Sequence, residues 1–554
     1  MGARWARRLL RVLAVTVLLW GLLFLYLVIV SRVSPPDIKD TSSIHLKKSE
    51  PDTGLYTIGN NWFRKSNSGL YEMYVRGRPF ERGVINGKLS ETLVKKQEDY
   101  FSERINQMIP SKFYLHFLKY FIGWFNRDLS EHVTDEYKQE IYGVSQSASD
   151  GYKYIGTKYS RILNYHSAHD IGHALQNMML VGCTSFGTWG AASQDSTMII
   201  GRNFDFWVGD HFAKNKIVEF VSPSAGYKFM SVTWGGFIGV VSGMNEKGLT
   251  VTINAAKSDI PTGSATPVSL VVREIVQYAR NIKEAIAIAE KRKMFVSESF
   301  LVGSAADNKA VIIEKTPDSL AIYDPRSNEI LCTNHFQSNA FLNTAKNREQ
   351  MEQSASLYRY QRLNQLLQHN GKNTVQKTIN ILRDYRGMNN ADIGLGNEKA
   401  VNQFIAHHSI VFEPQKLLVW VSTSPWQMGE FVCYDLKKIF AQNGLQKNRE
   451  VYESSLNVPA DSFIYTSQFK AFEQYRNYKE LAFEKKPVAA DSVIADNPTL
   501  YNSYVIAGDY SFKQKQYQKA IQYYQKALTM EIATEGERKH ISTQLEKSRK
   551  ALKK

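Results

Sequence analysis

The sequence predicts an α+β fold in which antiparallel sheets carry helices on their outer faces. From residue 184 onwards, short β-branched or alternating apolar runs recur along the chain, as at 217–221, 229–234 and 249–254. Turn signals separate these runs, for example Asn-Glu-Lys-Gly at 245–248, and such alternation of strand and turn is typical of antiparallel strands. Helical periodicity appears between the strand runs, as at 267–279. Strand groups interrupted by helices indicate layers of sheet and helix.

Composition limits the classes of function. The 554 residues allow two to four domains, and 43% apolar with 22% charged residues is a globular profile. The net charge is +16, but the basic residues are dispersed and no zinc-finger or RNA-binding signature accompanies them. We therefore interpret the charge as a solvated basic surface and expect no nucleic-acid partner. Three cysteines do not make a disulfide framework, so one of them is available for chemistry.

The N-terminus predicts a membrane anchor. Several arginines precede an almost wholly apolar run at 12–30, which is long enough to cross a hydrocarbon core of about 30 Å. No small-residue cleavage pattern follows it, so we favour an uncleaved anchor over a removed signal peptide. The arginines should stay in the cytoplasm. The prediction is a single-pass membrane protein with an extracytoplasmic body, periplasmic if the source is bacterial.

The segment around Cys183 predicts a reactive thiol. Cys183 follows the small residue Gly182, and a strand should start there, turn at 194–196 and return. The returning strand would carry Arg202 and Asp205 back towards the sulfur. A guanidinium near a thiol favours the thiolate, which is the nucleophilic form, and a carboxylate nearby could hold an ammonium group.

These residues resemble a known family. Cys-Thr-Ser at 183–185, followed by Gly-Arg-Asn-Phe-Asp-Phe at 201–206, is similar to the cysteine N-terminal-nucleophile hydrolases. They include acid ceramidase, N-acylethanolamine acid amidase, the choloylglycine hydrolases and the isopenicillin N acyltransferase-like proteins. The resemblance implies a four-layer αββα fold and a proenzyme that cuts itself between Gly182 and Cys183. The freed α-amine of the cysteine then serves as base for its own thiol.

The resemblance also implies roles for individual residues. Arg202 would lie beside the sulfur and the substrate, and Asp205 would orient the α-amine. Asn254 ends the stretch 243–254, which begins Gly-Met-Asn-Glu-Lys-Gly-Leu and resembles the family's oxyanion-binding segment. Asn334 follows a threonine, and Arg359 ends a Ser-x-x-Arg pattern, as the family's later site residues do. Positioned amide donors stabilise an oxyanion by about 3–4 kcal/mol without adding charge.

The chain divides into four predicted regions. They are a transmembrane anchor at 1–35, a linker and helical prosegment at 36–182, a catalytic domain at 183–440 and a helical tail at 455–554. In the tail, Gly508, Ala520, Tyr524 and Ala527 have the spacing of a tetratricopeptide helix pair. A partner-binding module and a plain helical hairpin both remain open for it.

A histidine cluster precedes the cysteine. His169 and His173 are one helical turn apart, a spacing that metal ligands use, but the glutamate of the zincin motif is missing. We interpret the cluster, with His166 and Asp170, as part of a prosegment helix that positions the scissile bond, and we expect neither a metal nor a cofactor. The His-His pair at 407–408 is interpreted as strand structure.

The sequence thus predicts a self-processing cysteine amidohydrolase or acyltransferase. It would act on an N-acyl amide through a cysteinyl thioester, and the membrane anchor favours a lipid-like substrate. Whether water or an amine accepts the acyl group is open. One alternative is an inactive membrane-anchored scaffold that recruits a protein partner through the tail. Another is a metal-dependent hydrolase that uses the histidine cluster.

Overall fold

The protein was analysed as a computed structural model. It describes residues 2–108, 111–175, 182–206, 214–259, 261, 263–445 and 449–553. The helices before the sheet-rich region are α1 (Gly2–Val30), α2 (Pro79–Leu89), α3 (Glu91–Met108), α4 (Lys112–Phe125), α5 (Leu129–His132), α6 (Asp135–Ser145) and α7 (Lys158–Leu175). The later helices are α8 (Val268–Tyr278), α9 (Ile282–Lys291), α10 (Ala345–Gln353), α11 (Ser356–Gln368), α12 (Val375–Leu382), α13 (Leu436–Ala441), α14 (Ser467–Phe483), α15 (Ala490–Asp496), α16 (Tyr501–Lys513), α17 (Tyr517–Leu528) and α18 (Glu535–Leu552).

The larger of two sheets has eleven strands in the order β1-β2-β3-β4-β7-β8-β9-β10-β11-β12-β13. All neighbours are antiparallel except β4 and β7, which run parallel over seven paired residues each. Its strands are β1 (Ser49–Asp52), β2 (Leu55–Ile58), β3 (Asn61–Lys65), β4 (Tyr71–Gly77), β7 (Ile217–Pro223), β8 (Phe229–Thr233), β9 (Ser242–Asn245), β10 (Leu249–Ala255), β11 (Glu298–Ser304), β12 (Lys309–Lys315) and β13 (Leu320–Tyr323).

The smaller sheet has six antiparallel strands in the order β14-β5-β6-β15-β16-β17. Its strands are β5 (Thr184–Thr188), β6 (Ile199–Asp205), β14 (Glu329–Cys332), β15 (Ala406–Glu413), β16 (Leu418–Ser422) and β17 (Phe431–Asp435). The predicted hairpin that starts at residue 183 is therefore present as β5 and β6. The hairpin lies between β14 and β15, and β5 is buried along its whole length, so the cysteine lies next to a buried strand.

The two sheets pack face to face, and helices cover both outer faces. Phe220 and Ile312 of the larger sheet share one buried core with Ile200 and Ile410 of the smaller sheet. Helices α8 and α9 pack on the far side of the larger sheet, and α11 and α12 on the far side of the smaller sheet. Helix α8 presents an apolar residue to the sheet every three or four positions, the pattern of a helix with one buried face. The predicted α+β class is confirmed.

The region before the cysteine differs from its prediction. A linker and helices are predicted for 36–182, but β1 to β4 lie within it. The sequence of β1 (Ser-Glu-Pro-Asp) carries no strand signal, and its conformation depends on pairing with β2. Tertiary pairing therefore overrides local propensity here. Because β4 pairs with β7, the segments on either side of Cys183 share one sheet.

Helix α1 stands apart from the core. Its segment Trp5–Val30 is long and apolar enough to cross a membrane, and none of it is buried. A signal sequence meets the same criteria. Among the described helices, no other one meets them.

The tail is a set of helices that packs on the sheet domain. Gly508 lies against Tyr524 so closely that a Cβ there would be 2.6 Å from the ring, and Ala520 and Ala527 are buried in the same core. These predicted small-residue positions therefore form the contact between α16 and α17, while the tetratricopeptide character stays a prediction. The tail core also includes Phe404, whose ring centroid is 4.8 Å from that of Phe472 on α14.

We expect Phe472→Ala to weaken the attachment of the tail. The side chain is 1% exposed, and truncating a buried phenylalanine removes about 3–5 kcal/mol from the free energy of unfolding. Urea denaturation followed by tryptophan fluorescence would report the loss, since Trp426 contacts Phe472 with centroids 6.3 Å apart. Tyr465→Ala is the control, because Tyr465 is 74% exposed and should shift stability by less than about 0.5 kcal/mol. Equal effects of the two changes would contradict the packing described here.

Candidate active site

Cys183 lies immediately before β5, beside the end of β6. The Nη2 atom of Arg202 is 3.7 Å from the Cys183 sulfur, and the thiol donates to the main-chain oxygen of Asp205 over 3.7 Å. The side chain of Cys183 is 1% exposed. The structure therefore brings together the three residues that the motif predicts, in a site closed to solvent.

Arg202 is held rigidly. Its Nη1 donates to the hydroxyl of Ser242, and its Nη2 donates to the main-chain oxygen of Ile253. The guanidinium also lies over the ring of Phe204, 4.3 Å from the centroid. Ser242 in turn lies 2.9 Å from Nε2 of His408. These contacts fix the guanidinium against the thiol before any substrate is bound.

Burial outweighs the guanidinium in setting the thiol's charge. Loss of solvent raises the pKa of Cys183 to about 11, although the nearby Arg202 lowers it. The expected effect of Arg202, which favours the thiolate, is present but smaller than the effect of burial. At neutral pH the thiol is protonated and needs a base.

Asp205 is a buried carboxyl group with nothing to neutralise it directly. Neither of its carboxylate oxygens accepts a hydrogen bond from any residue that the structure describes. Burial raises its pKa from 3.8 to about 7, opposed by the charges of Arg359 and Arg202. A buried polar group without a partner is costly. Such a group is suited to receive a cation or a new N–H donor.

The main chain at Gly182 is fixed on both sides. Its N–H donates to the main-chain oxygen of Asp205 over 2.9 Å, and its carbonyl oxygen accepts from Nε2 of Gln403 over 2.7 Å. Sequence reasoning missed Gln403, which lies 221 residues further along the chain. No motif surrounds it, so only the folded chain identifies this contact.

Asn254 lies on β10, directly after Ile253, whose carbonyl accepts a hydrogen bond from Arg202. Its Oδ1 accepts from the hydroxyl of Ser185 over 2.7 Å, and its Nδ2 donates to the carbonyl of Cys332 over 3.2 Å. Both ends of the amide are thus occupied in the intact chain. Before cleavage, the Nδ2 donor of Asn254 is therefore bound to the Cys332 carbonyl.

Asn334 and Arg359 form a buried hydrogen-bonded pair. The Nη2 of Arg359 donates to Oδ1 of Asn334 over 2.5 Å, and Nδ2 of Asn334 donates to the carbonyl of Ala255 over 2.9 Å. Arg359 is close enough to Asp205 to lower the pKa of that carboxyl group. All six predicted side chains are buried. Arg202 contacts Cys183, and Arg359 contacts Asn334. The amide of Asn254 bonds instead to Ser185 and Cys332.

Glu298 is a further buried acid that the sequence analysis did not single out. It begins β11 opposite Ala255, and neither carboxylate oxygen accepts a hydrogen bond from the described residues. Burial raises its pKa well above the usual value, and Asp170 adds to this effect while Arg202 opposes it. In the sequence, the signal for Glu298 is a charged residue at the start of an apolar strand.

The histidine cluster has a structural role where it is described. The Nε2 of His166 accepts from the N–H of Ile238 over 3.0 Å, and burial lowers the pKa of His166 to about 4. Asp170 accepts from the N–H of Val268 over 2.8 Å at the start of α8. The side chains of His169 and His173 lie outside the described residues. Within the described part of the chain, no group of three acidic, histidine or cysteine side chains is arranged to hold a metal ion.

Residues 192–423 match the family model of acyl-coenzyme A:6-aminopenicillanic acid acyl-transferase. This segment contains the five later site residues, whereas Cys183 precedes it. The predicted resemblance to the isopenicillin N acyltransferase-like proteins is confirmed by the match.

Curated relatives share low identity with parts of the chain. An uncharacterized protein of Archaeoglobus fulgidus is 24% identical over 274 residues, 46% of this chain and 45% of that protein. Protein dcd1B of Dictyostelium discoideum is 22% identical over 289 residues, 49% of this chain and 54% of that protein. The N-acylethanolamine-hydrolyzing acid amidase of Caenorhabditis elegans is 22% identical over 215 residues, 37% of this chain and 58% of that protein. The chain therefore spans about half the length of the curated relatives it matches.

Two solved structures are each similar to a part of this chain. A Caenorhabditis elegans N-acylethanolamine-hydrolyzing acid amidase ortholog has 17% identity and a TM-score of 0.31, covering 42% of this chain and 93% of that chain. A conjugated bile acid hydrolase from Clostridium perfringens has 11% identity and a TM-score of 0.33, covering 48% of this chain and 95% of that chain.

We expect the uncleaved protein to lose stability as pH rises from about 4 to 7. Asp205 keeps its proton in the folded chain up to about pH 7, whereas the unfolded chain releases it near pH 4. The folded state then binds more protons, so the free energy of unfolding falls with pH, by about 4 kcal/mol at most for this group.

Urea denaturation at several pH values checks this expectation. Cys183→Ala protein, which should stay uncleaved, is compared with the double variant that also carries Asp205→Asn. Asn cannot titrate, so the double variant should lose a part of the pH dependence between pH 4 and 7. An identical pH dependence in both proteins would contradict the buried, unpartnered state of Asp205.

Proposed function

We propose that the protein is a self-processing cysteine amidohydrolase or acyltransferase of the N-terminal-nucleophile type. It cuts its own chain between Gly182 and Cys183 and then breaks the amide bond of an N-acylated, lipid-like substrate through a thioester on Cys183. One observation carries the proposal: the Cys183 thiol lies 3.7 Å from Arg202, next to the buried, unpartnered carboxyl group of Asp205. The layers of the protein, in the order helix, sheet, sheet, helix, are those expected of an N-terminal-nucleophile hydrolase.

The cut supplies the missing base. In the intact chain, burial keeps the thiol of Cys183 protonated. Cleavage before Cys183 frees its α-amine, which accepts the thiol proton and leaves a nucleophilic sulfur. Asp205 then has an N–H partner for its carboxylate, and Arg202 stabilises the negative sulfur. The new α-amine therefore removes both unfavourable features of the site, the protonated thiol of Cys183 and the unpartnered carboxyl group of Asp205.

The acyl transfer needs donors for the oxyanion. We assign this role to the side-chain amides of Asn254 and Asn334, each of which now donates to a main-chain carbonyl. Arg359 holds Asn334 by its Oδ1 and so orients the donor end of that amide. A positioned donor is worth about 3–4 kcal/mol in the transition state. The thioester is then released to water or to an amine.

Sheet pairing keeps the two fragments together after the cut. Strand β4 lies before the scissile bond and β7 after it, and they pair over seven residues each. The anchor fragment at 1–182 therefore stays bound to the catalytic domain at 183–440. With α1 as the anchor, the active site would lie outside the cytoplasm at a membrane surface, where amphiphilic N-acyl amides collect. A protein partner for the tail at 455–554 stays a prediction.

We expect Cys183→Ala to abolish both cleavage and amidase activity. Alanine has no sulfur to attack the chain or the substrate, so mass spectrometry should find only the intact chain, whereas the parent protein yields a fragment that begins with Cys183. Activity is measured on a panel of N-acyl amides, with and without an amine acceptor. Cys433→Ala is the matched control, because Cys433 is also buried and free but lies on β17, away from the site.

Cleavage of the Cys183→Ala protein would remove the proposed mechanism. A parent chain that stays intact and inactive on the whole panel would instead favour the alternative of a membrane-anchored scaffold.

We expect the protein to remain in membranes after carbonate washing, because α1 is an apolar helix long enough to span the bilayer. Protease added to intact cells or spheroplasts should digest the body of the protein. Replacement of Leu18 and Leu22 by Asp should release it, since charges within the apolar core are costly, whereas Leu18→Ala with Leu22→Ala should not. Full release of the parent protein by carbonate would contradict a retained anchor.

A further inference from the structure

We propose that Gln403 is a catalytic residue of the self-cleavage step: its side-chain N–H polarises the carbonyl of Gly182 and stabilises the oxyanion formed there. The inference rests on the proposed function and deepens it. The observation behind it is a hydrogen bond of 2.7 Å from Nε2 of Gln403 to the oxygen of Gly182. That oxygen belongs to the peptide bond that is proposed to break.

The scissile peptide has very little freedom. The N–H of Gly182 is held by the carbonyl of Asp205 over 2.9 Å, and Gln403 is 2% exposed. A Cβ atom at position 182 would lie 2.5 Å from either amide heteroatom of Gln403, closer than real atoms approach. Glycine at position 182 therefore allows the amide to reach the carbonyl, and donor and acceptor are aligned before the reaction begins.

The loop that carries Gln403 is fixed from several sides. The N–H of Asn402 donates to the carbonyl of Asp384 over 2.8 Å, and Oδ1 of Asn402 accepts from the N–H of Phe404 over 2.9 Å. Phe404 has a φ of 53°, a left-handed conformation that a phenylalanine adopts only where its surroundings enforce it. Gln403 thus lies between two anchored residues.

The helical tail holds Phe404 in this left-handed conformation. The ring of Phe404 packs among the tail's aromatic residues, with Phe472 at 4.8 Å between centroids. Arg476 of α14 donates to the carbonyl of Phe404 over 2.8 Å. The tail therefore buttresses the residue next to Gln403, and the self-cleavage step depends on a part of the chain far from the cut.

The chemical step balances as follows. As the Cys183 sulfur adds to the carbonyl carbon of Gly182, the thiol proton passes to the scissile nitrogen, and the negative charge on the oxygen is stabilised by the amide N–H of Gln403. The C–N bond then breaks, and the protonated nitrogen leaves as the α-amine of Cys183. Water hydrolyses the resulting thioester, giving the Gly182 carboxylic acid and restoring the Cys183 thiol.

A neutral amide suits this position. Removing one positioned oxyanion donor slows acyl transfer by about 10²–10³-fold. An amide provides this stabilisation without a charge that would compete with Arg202 and Arg359 for Asp205. It also leaves the site's electrostatics unchanged when the Gly182 end departs.

The first test is Gln403→Met in the full-length chain, made by cell-free translation into nanodiscs. Methionine has a similar length and shape but no donor, so conversion of the 63.2 kDa chain into its two fragments should slow by about 10²–10³-fold. Gln427→Met is the matched control, since Gln427 is fully buried and donates only a long hydrogen bond of 3.4 Å to Leu382. Conversion of Gln403→Met at the parent rate would overturn the proposal.

The second test separates donation from a structural role. In Gln403→Glu, the buried acid can donate an O–H only while it is protonated, and burial raises its pKa. The ratio of its cleavage rate to the parent rate should therefore increase at least tenfold from pH 8 to pH 5. Burial also raises the pKa of Glu398, which lies in the same loop, to about 7. This group and the other charged residues around the loop and Gly182 are present in both proteins and act on both rates; they are Asp205, Arg359, Arg383, Asp384, Lys399, Arg476, Lys479, Glu531 and Glu537.

These outcomes can be told apart from failure of the proposed function. A pH-independent rate ratio for Gln403→Glu would overturn donation by residue 403 even if Gln403→Met failed to fold. If Cys183→Ala blocks cleavage while both Gln403 variants cleave normally, only this inference is wrong. If Cys183→Ala protein cleaves, the proposed function itself is wrong.

Discussion

The antiparallel pairing of β5 with β6 is the constraint on which the site depends. Ser185 pairs with Arg202 in this register, and residues two apart on a strand point to the same face. Cys183 therefore lies on the same side of the sheet as the Arg202 guanidinium. A shift by one residue would turn the guanidinium to the opposite face. Both strands are buried and lie inside the smaller sheet, which makes such a shift very costly.

In the intact chain, the electrostatics of the site favour the arrival of a positive charge. Burial keeps Cys183 protonated and leaves Asp205 with a raised pKa and no hydrogen-bond donor. Both are unfavourable as they stand, and a single ammonium group between them would relieve both. The proposed cut produces such a group without any cofactor. The cost of the unpartnered carboxyl group is then part of how the precursor is kept inactive.

Much of the site could be predicted because its signals are local. Cys183, Arg202 and Asp205 lie within 22 residues of one another, on a hairpin whose alternation is visible in the sequence. Asn254, Asn334 and Arg359 come from separate segments, and only the resemblance to a family could associate them. Gln403 has no local motif, so its contact with Gly182 follows from the folded chain alone.

The fold was predictable to a similar extent. The α+β class follows from strand and helix periodicity, which is a property of short segments. Strand β1 escaped prediction because it has no apolar alternation and is held by its partner strand. For the pKa of Cys183, the sequence predicts only the contribution of Arg202, which lowers it, and not the larger contribution of burial, which raises it. A sequence shows that an arginine is near, but the extent of burial is known only once both sheets are packed together.

The hydrogen bonds at Gly182 bear on the fate of the severed end. A cut there turns a neutral carbonyl into a carboxylate that lies within the reach of the Asp205 backbone. Once the new ammonium group has paired with the Asp205 side chain, the severed carboxylate is a further negative charge in a buried site. Its hydration in bulk water is strongly preferred. Movement of the old chain end towards water would therefore free space beside Cys183 and prevent the two ends from rejoining.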